Sequence, residues 1–289
     1  MNIELFVQQI EKQKLSCEGV IVLQHGKKIA SYHWIPVKPK NVFSVSKSFT
    51  SIAVGMAIGE GKLSLGDRVT EKLPGLAAKP RGRIASLTLE HCLTMSRGHG
   101  EFSRPQSVAE ALNQELVWEP GTNFMYDNGS TFLAGAMLTA VTGKTVRDYL
   151  LDKLFRPLGI ADPFWQESAD GCSIAATGLE VSIEDLALFG QFLLQRGEWK
   201  GKQLVRPAWI DAAGRPHIPT RFTSTEPDYD LGYGYCFWPC RHGAYRADGK
   251  DGQYIVILPL QDAVVAVTSN EENMKPILYT VWDRILPEL

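Results

Sequence analysis

Ser44 and Lys47 are the first residues in this chain whose types and spacing allow chemistry. They lie in Asn41-Val42-Phe43-Ser44-Val45-Ser46-Lys47-Ser48-Phe49-Thr50, at the start of a run of small and apolar residues. Side chains three residues apart share one face of a helix, with Cβ atoms roughly 5–6 Å apart, so the lysine amine reaches the serine hydroxyl. Burial near a helix N-terminus disfavours an ammonium, and a lysine with a lowered pKa accepts a proton at neutral pH. The pair predicts a nucleophilic serine with a lysine base.

The spacing alone carries little weight, because a Ser-x-x-Lys pattern arises by chance about once in a chain of this length. Tyr126 and Asn128 supply partners, since they follow a Pro-Gly turn and directly precede a helical pattern. A phenol and a carboxamide on one short loop suit proton transfer and the orientation of a carbonyl. Taken by itself, such a triplet is more often a hydrogen-bonded turn.

A third stretch, Ala247-Asp248-Gly249-Lys250-Asp251-Gly252-Gln253, opens a predicted strand with glycines and charges. Glycines allow a backbone to approach a ligand closely, and a strand N–H facing the nucleophile would complete an oxyanion hole. The plain alternative is a tight hairpin turn with a solvated lysine.

Composition excludes several classes of function. The chain has 289 residues, of which 44% are hydrophobic and 21% charged, with a formal net charge of -2, so we expect a globular protein that binds neither nucleic acid nor an anionic membrane. No apolar run approaches the length of a membrane span, and residues 1–12 do not resemble a signal peptide, which predicts a cytoplasmic location. The five cysteines are scattered without metal-ligand spacing, which predicts free thiols, no metal and no other cofactor.

The elements that must position these residues fall into three groups. The N-terminal part predicts a helix, a hairpin and the Ser44 helix, which ends at Gly59-Glu60-Gly61. The middle predicts short helices that each begin at a Ser or Thr suited to capping, and the C-terminal part, after a loop over 216–230, predicts an antiparallel meander and a last helix. The predicted helices are 3–14, 44–59, 88–95, 107–116, 130–142, 145–155, 182–196 and 273–286, and the predicted strands are 18–24, 28–34, 231–238, 244–247, 253–258 and 263–268.

Strands near both termini and helices between them predict an α+β fold with three α/β/α layers. Its antiparallel sheet would be built from both ends of the chain and flanked by helices. We predict a sheet domain from residues 1–61 and 216–289, an inserted, mainly helical subdomain from 62–215, and an active site in the cleft between them.

The order and spacing of the three stretches resemble the signature elements of the serine β-lactamase and penicillin-binding protein superfamily. The branch with class C β-lactamases, DD-peptidases and related esterases is the most similar. Further similarity covers 87–98, where Ser-Arg-Gly stands in place of the usual Thr-Ser-Gly, and 177–190.

This resemblance implies that Ser44 is acylated, that Lys47 is its base, and that Tyr126 passes a proton to the leaving group and activates water. It also implies that Asn128 contacts the substrate near its carbonyl and that Lys250 adds positive charge beside Tyr126. Gly252 and Gln253 would form the strand side of the oxyanion hole, with the N–H groups of Ser44 and Gln253 as donors. Whether Lys47 or Tyr126 is the true base stays open.

Asp251 departs from the pattern, because lactam-processing relatives carry a hydroxyl there that helps to bind the substrate carboxylate. A carboxylate at that place would repel penicillins, which favours a neutral or cationic substrate. Another alignment places Asp251 at a glycine of a Gly-x-Gly-Gly-Gln variant and points the same way.

The sequence therefore predicts a serine hydrolase that acts through an acyl-enzyme on a small-molecule ester or amide. The alternatives are a true β-lactamase or DD-peptidase, and a catalytically silent binding protein with the same fold. Oligomeric state is not indicated.

Overall fold

The computed structural model describes residues 1–78, 81–220 and 226–289. Residues 221–225, which belong to the loop predicted over 216–230, and residues 79–80, within the predicted helical subdomain, lie outside the described residues.

Strands near both termini form the central sheet, whose six antiparallel strands run in the order β2-β1-β10-β9-β8-β7. The two short pairs β3-β4 and β5-β6 lie outside it. The strands are β1 (Cys17–Gln24), β2 (Lys27–His33), β3 (Lys40–Asn41), β4 (Glu180–Val181), β5 (Glu198–Trp199), β6 (Lys202–Gln203), β7 (Trp238–Pro239), β8 (Tyr245–Gly249), β9 (Gln253–Leu258) and β10 (Ala263–Ser269).

Most helices correspond to predicted ones, but the helices Val69–Lys72 and Pro207–Gly214 were not predicted. The last helix continues through a π-helical turn at Val281–Ile285 into a 3-10 turn at Leu286–Glu288. The helices are α1 (Glu4–Lys12), α2 (Val45–Gly59), α3 (Val69–Lys72), α4 (Leu89–Leu93), α5 (Val108–Asn113), α6 (Asn128–Thr142), α7 (Val146–Leu150), α8 (Arg156–Leu158), α9 (Ile183–Leu194), α10 (Pro207–Gly214) and α11 (Lys275–Thr280).

Both faces of the sheet are buried, because successive side chains of a strand point to opposite faces. In β9, Val256 packs in one cluster with the two terminal helices α1 and α11, represented by Phe6 and Ile277. Ile255, the neighbour of Val256, packs in the other cluster, which contains α2 and α9. The predicted three-layer α+β architecture is confirmed.

Helix α2 lies at the centre of the second cluster, and its first thirteen residues are all buried. Helix α9 packs directly on the sheet, since a Cβ at Gly190 would lie 2.4 Å from Cγ1 of Val264. The sheet thus supports α2 and α9 on the face that carries the site. The division of the chain into 1–61 plus 216–289 and 62–215 stays a prediction.

Most predicted helix starts are confirmed, with Thr88, Ser107, Thr145 and Ser182 as N-caps. The predicted start at Ser130 is wrong. Helix α6 begins at Asn128, because the carboxylate of Asp127 accepts a hydrogen bond from the backbone N–H of Ser130 at 3.0 Å and so serves as the cap.

The predicted strand over 231–238 is also largely wrong, since only Trp238 of that range belongs to a strand. Two residues in the range, Gly232 (φ +87°) and Cys236 (φ +61°), have left-handed backbone conformations that an extended strand excludes. The remaining strands of the meander form as β8, β9 and β10.

Candidate active site

Ser44 lies in the turn that leads into α2. Phe43, just before it, has a positive φ of 48°, a conformation that costs a non-glycine residue on the order of 1–3 kcal/mol. Asn41 supports this turn, because its Oδ1 accepts the backbone N–H of Phe43 at 2.8 Å. The strained turn holds the Ser44 hydroxyl at the wall of a cavity of about 850 Å³.

Lys47 is fully buried one turn further along α2. Its Nζ lies 3.0 Å from Oγ of Ser44, 2.6 Å from Oδ1 of Asn128 and 2.8 Å from the carbonyl oxygen of Ala176. Burial lowers the pKa of Lys47 from 10.5 to about 7, against the opposing charges of nearby acidic groups. The amine is therefore neutral in a large fraction of molecules at physiological pH.

The three contacts of Lys47 match the needs of a base. A neutral amine has two N–H donors and one lone pair. The carbonyl oxygens of Asn128 and Ala176 can only accept, so they take the two N–H groups. The lone pair is then left for the hydroxyl proton of Ser44.

Tyr126 completes the reactive group. It hydrogen-bonds Ser44, and Nζ of Lys47 lies 5.0 Å from the centre of its ring. Burial raises the pKa of Tyr126 well above 10, and the nearby carboxylate of Asp248 adds to the rise. The phenol therefore keeps its proton near neutral pH, which suits a proton donor. The structure brings the four predicted residues Ser44, Lys47, Tyr126 and Asn128 together.

A buried ion pair behind the Tyr126 loop was not predicted. Nε of Arg97 lies 2.5 Å from Oδ2 of Asp127, and both side chains are almost completely buried. Arg97 also donates to Gln114 and to the backbone carbonyl of Ala111, and Ser103 donates to Oδ1 of Asp127 at 2.5 Å. The departure Ser-Arg-Gly at 96–98 was the available signal, because a buried arginine needs a carboxylate partner.

The turn after β8 is arranged differently from the prediction. Lys250 is 64% exposed, pairs with Asp251 at 3.2 Å and lies over the ring of Phe43. Gly252 packs against Ser269 and Ile277, on the side of the terminal helix. We find Lys250 at the cavity wall but not in contact with Tyr126, and Gly252 away from the cavity.

Gln253 is fully buried in β9, opposite Gly249, and its amide donates to the carbonyl oxygen of Ser269 at 2.6 Å. It does not line the cavity, so the structure does not bring it to Ser44. The wall is formed instead by Asp248, Gly249 and Lys250.

Gly249 brings this wall close to the nucleophile. A Cβ at Gly249 would lie 2.3 Å from the carbonyl oxygen of Val42, two residues before Ser44. Only glycine permits this approach of β8 to the turn. Within the described ranges, the backbone N–H groups of Ser44 and Lys250 have no protein acceptor.

Asp248 contributes a carboxylate to the cavity wall, as does Glu226, whereas Asp251, on which the prediction about charge rested, lies outside the lining. Asp248 is held by the buried Arg246 at 3.0 Å. Its charge acts on both Lys47 and Tyr126 and raises the pKa of each. The site therefore does contain a carboxylate beside the reactive group, supplied by another residue.

Two further properties bear on the chemistry. In the part of the chain that the structure describes, no cluster of three His, Cys, Asp or Glu side chains could hold a metal ion. No helix among the described residues is long and apolar enough to cross a membrane. The predicted cytoplasmic location stays a prediction.

Comparison with known proteins places this geometry in a family. Residues 3–286 match the model of the family described as Beta-lactamase. The chain is 31% identical over 169 residues to a beta-lactamase of Escherichia coli, covering 52% of this chain and 43% of the relative. It is 30% identical over 152 residues to a lovastatin esterase of Penicillium rubens, covering 41% of this chain and 37% of the relative. These matches span less than half the length of either relative.

The fold is also similar to that of a solved structure. The structure of an octameric penicillin-binding protein homologue from Pyrococcus abyssi is similar over 100% of this chain and 78% of that chain, with a TM-score of 0.82 and 21% sequence identity. The relatives named here thus include a beta-lactamase and an esterase, and the site contains the serine and lysine that the resemblance implied. The chain belongs to the beta-lactamase family.

Proposed function

We propose that the chain is a serine hydrolase that cleaves a small ester or amide through an acyl-enzyme on Ser44. The observation that carries the proposal is the buried Lys47 amine, 3.0 Å from Oγ of Ser44 at the wall of the cavity. A pKa of about 7 allows this amine to accept the serine proton at neutral pH.

In the acylation step, Oγ of Ser44 bonds to the substrate carbonyl carbon while its proton passes to Nζ of Lys47. The oxyanion that forms is stabilised by backbone N–H groups, for which we propose Ser44 and Lys250, because neither group has an acceptor among the described residues and Gly249 brings the second one to the turn. This assignment replaces Gln253 as the second donor.

Collapse of the intermediate breaks the bond to the leaving group, which takes the proton of the Tyr126 hydroxyl. The Lys47 ammonium then returns a proton to Tyr126 and becomes neutral again. In deacylation the oxygen of a water bonds to the acyl carbon as the water gives a proton to Tyr126 and Tyr126 passes its own to Lys47. The bond from the acyl carbon to Oγ of Ser44 then breaks, and Lys47 returns its proton to Oγ. Protons balance over the cycle without a cofactor.

The proposal is tested by labelling with a fluorophosphonate and by turnover of p-nitrophenyl acetate. We expect a mass increase on the Ser44 peptide, and loss of both label and turnover in Ser44→Ala. Ser46→Ala is a matched control from the same helical turn, since the hydroxyl of Ser46 accepts from the N–H of Leu179 and lies away from the cavity. An unlabelled wild-type protein that releases no p-nitrophenol would support the silent binding protein instead.

A further inference from the structure

We propose that Arg104 selects substrates whose acyl group ends in a carboxylate, away from the bond that is cleaved. The inference rests on the proposed hydrolase function and adds the substrate class. Arg104 lines the same cavity as Ser44. Among the described residues, its guanidinium has no ion-pair partner and no hydrogen-bond acceptor.

The other charged side chains in the cavity wall each have an ion-pair partner. A guanidinium whose charge is not compensated is the group that a substrate anion would meet first, and it offers two parallel N–H donors to a carboxylate. The ion pairs are Glu226 with Lys275 at 3.0 Å, Asp248 with Arg246 at 3.0 Å, and Lys250 with Asp251 at 3.2 Å.

The loop that carries Arg104 is anchored on both sides. Ser103 donates to Oδ1 of the buried Asp127 at 2.5 Å and its backbone N–H donates to the same oxygen at 3.1 Å. Pro105, on the other side, is buried. The guanidinium carbon lies 5.2 Å from the centre of the Phe102 ring, a stacking contact that leaves the N–H edge available. Arg104 is thus presented by a fixed segment.

Asp248 is linked to Tyr126 through packed aromatic rings. The ring of Trp238 packs on both Tyr126 and Tyr229, and the hydroxyl of Tyr229 donates to Asp248 at 3.4 Å. Asp248 acts on Tyr126, which we propose protonates the leaving group, so a leaving group with a carboxylate would meet a like charge. We therefore place the anion that Arg104 would bind on the acyl part of the substrate.

The cavity wall also contains apolar side chains, among them Phe43, Phe132, Ile174, Trp238 and Met274. Such a wall suits a chain of methylene groups. We therefore expect an acyl group with an apolar middle and a terminal carboxylate, such as the half-ester of a dicarboxylic acid.

The experiment compares two esters with the same leaving group and acyl length, mono-p-nitrophenyl adipate and p-nitrophenyl hexanoate. At an alkaline pH where Lys47 is neutral with or without Arg104, we expect Arg104→Gln to lower kcat/KM for the adipate ester roughly tenfold and to leave the hexanoate ester nearly unchanged. Arg104→Lys should retain part of the preference, and added salt should reduce it. Arg284→Gln, an exposed arginine on the terminal helix outside the cavity, is the control and should change neither rate.

A binding measurement separates this inference from the proposed function. In the Ser44→Ala background, calorimetry with monomethyl adipate should show weaker binding when Arg104→Gln is added. Arg104-dependent binding without hydrolysis of either ester would contradict the hydrolase and support the selectivity. Hydrolysis of both esters with an equal loss in Arg104→Gln, or with no loss, would overturn the role of Arg104.

Discussion

The pH dependence of acylation tests the proposed base directly. If Lys47 must be neutral, kcat/KM follows the neutral fraction of a group whose pKa is about 7. About one molecule in eleven is then active at pH 6 and about ten in eleven at pH 8, so the rate should rise about tenfold between them and level off above. The direction follows from the sign of the shift, because burial favours the neutral amine and only low pH restores the ammonium.

The assay is the initial rate of p-nitrophenyl acetate hydrolysis, followed at the isosbestic wavelength of p-nitrophenol so that absorbance does not itself depend on pH. The competing hypothesis is that Tyr126, as a tyrosinate, is the base. Its pKa is raised well above 10, so a tyrosinate base would give a rate that still climbs at the alkaline end. A flat profile, or a rate that does not level off above pH 8 and still climbs at the alkaline end, would refute a Lys47 base with a pKa of about 7.

Two substitutions should shift the midpoint of the pH profile in opposite directions. The charge of Asp248 raises the pKa of Lys47 and that of Arg104 lowers it. Asp248→Asn should therefore move the midpoint of the profile to lower pH, and Arg104→Gln should move it to higher pH. Shifts in the same direction would show that the midpoint does not report the Lys47 amine.

Three other predictions follow from the same contacts. Lys47→Ala and Tyr126→Phe should each lower kcat/KM by about 10²- to 10⁴-fold with an unchanged circular dichroism spectrum, and near-wild-type turnover in either variant would remove that residue from the mechanism. Arg97→Ala should lower the free energy of unfolding in urea by about 3–5 kcal/mol, since it leaves the carboxylate of Asp127 buried and unpaired, and a loss below about 1 kcal/mol would contradict that reading. A chromogenic cephalosporin, with a carboxylate beside its lactam, should be turned over more slowly than p-nitrophenyl acetate because of Asp248, and comparable rates would contradict this.

The sequence predicted the reactive group because its geometry is local. Ser44 and Lys47 are separated by one helical turn, and Tyr126 and Asn128 are two residues apart, so spacing brings the members of each pair close together. That the two pairs meet, with Nζ of Lys47 2.6 Å from Oδ1 of Asn128, was implied only by the resemblance to the superfamily. The fold class could be predicted for a related reason, because alternating apolar residues indicate the strands and each N-cap residue indicates the start of a helix.

The strand side of the site could not be predicted from sequence spacing. From the sequence, either Gly249 or Gly252 could be the glycine that lies close to the Ser44 turn. Which of the two does so depends on the pairing of Gly249 with Gln253 across the hairpin. A shift of one residue exchanges the faces of a strand, and nothing in the local sequence determines the register. The acidic group was misassigned for the same reason, as Asp248 rather than Asp251 reaches the cavity.

The spacing of Tyr126 and Asn128 has a structural cause that joins the two loops of the site. Asp127 between them has an extended backbone (φ -153°, ψ 132°), and successive side chains of an extended segment point to opposite sides. Tyr126 and Asn128 therefore face Ser44 and Lys47, while Asp127 faces Arg97 and Ser103. Because Ser103 directly precedes Arg104, the same carboxylate fixes both the proton-transfer loop and the segment that presents the free guanidinium. Catalytic geometry and substrate selection are thus coupled through Asp127, so Asp127→Asn should impair both, whereas Arg104→Gln should change selection and the pH midpoint but not the hexanoate rate at alkaline pH.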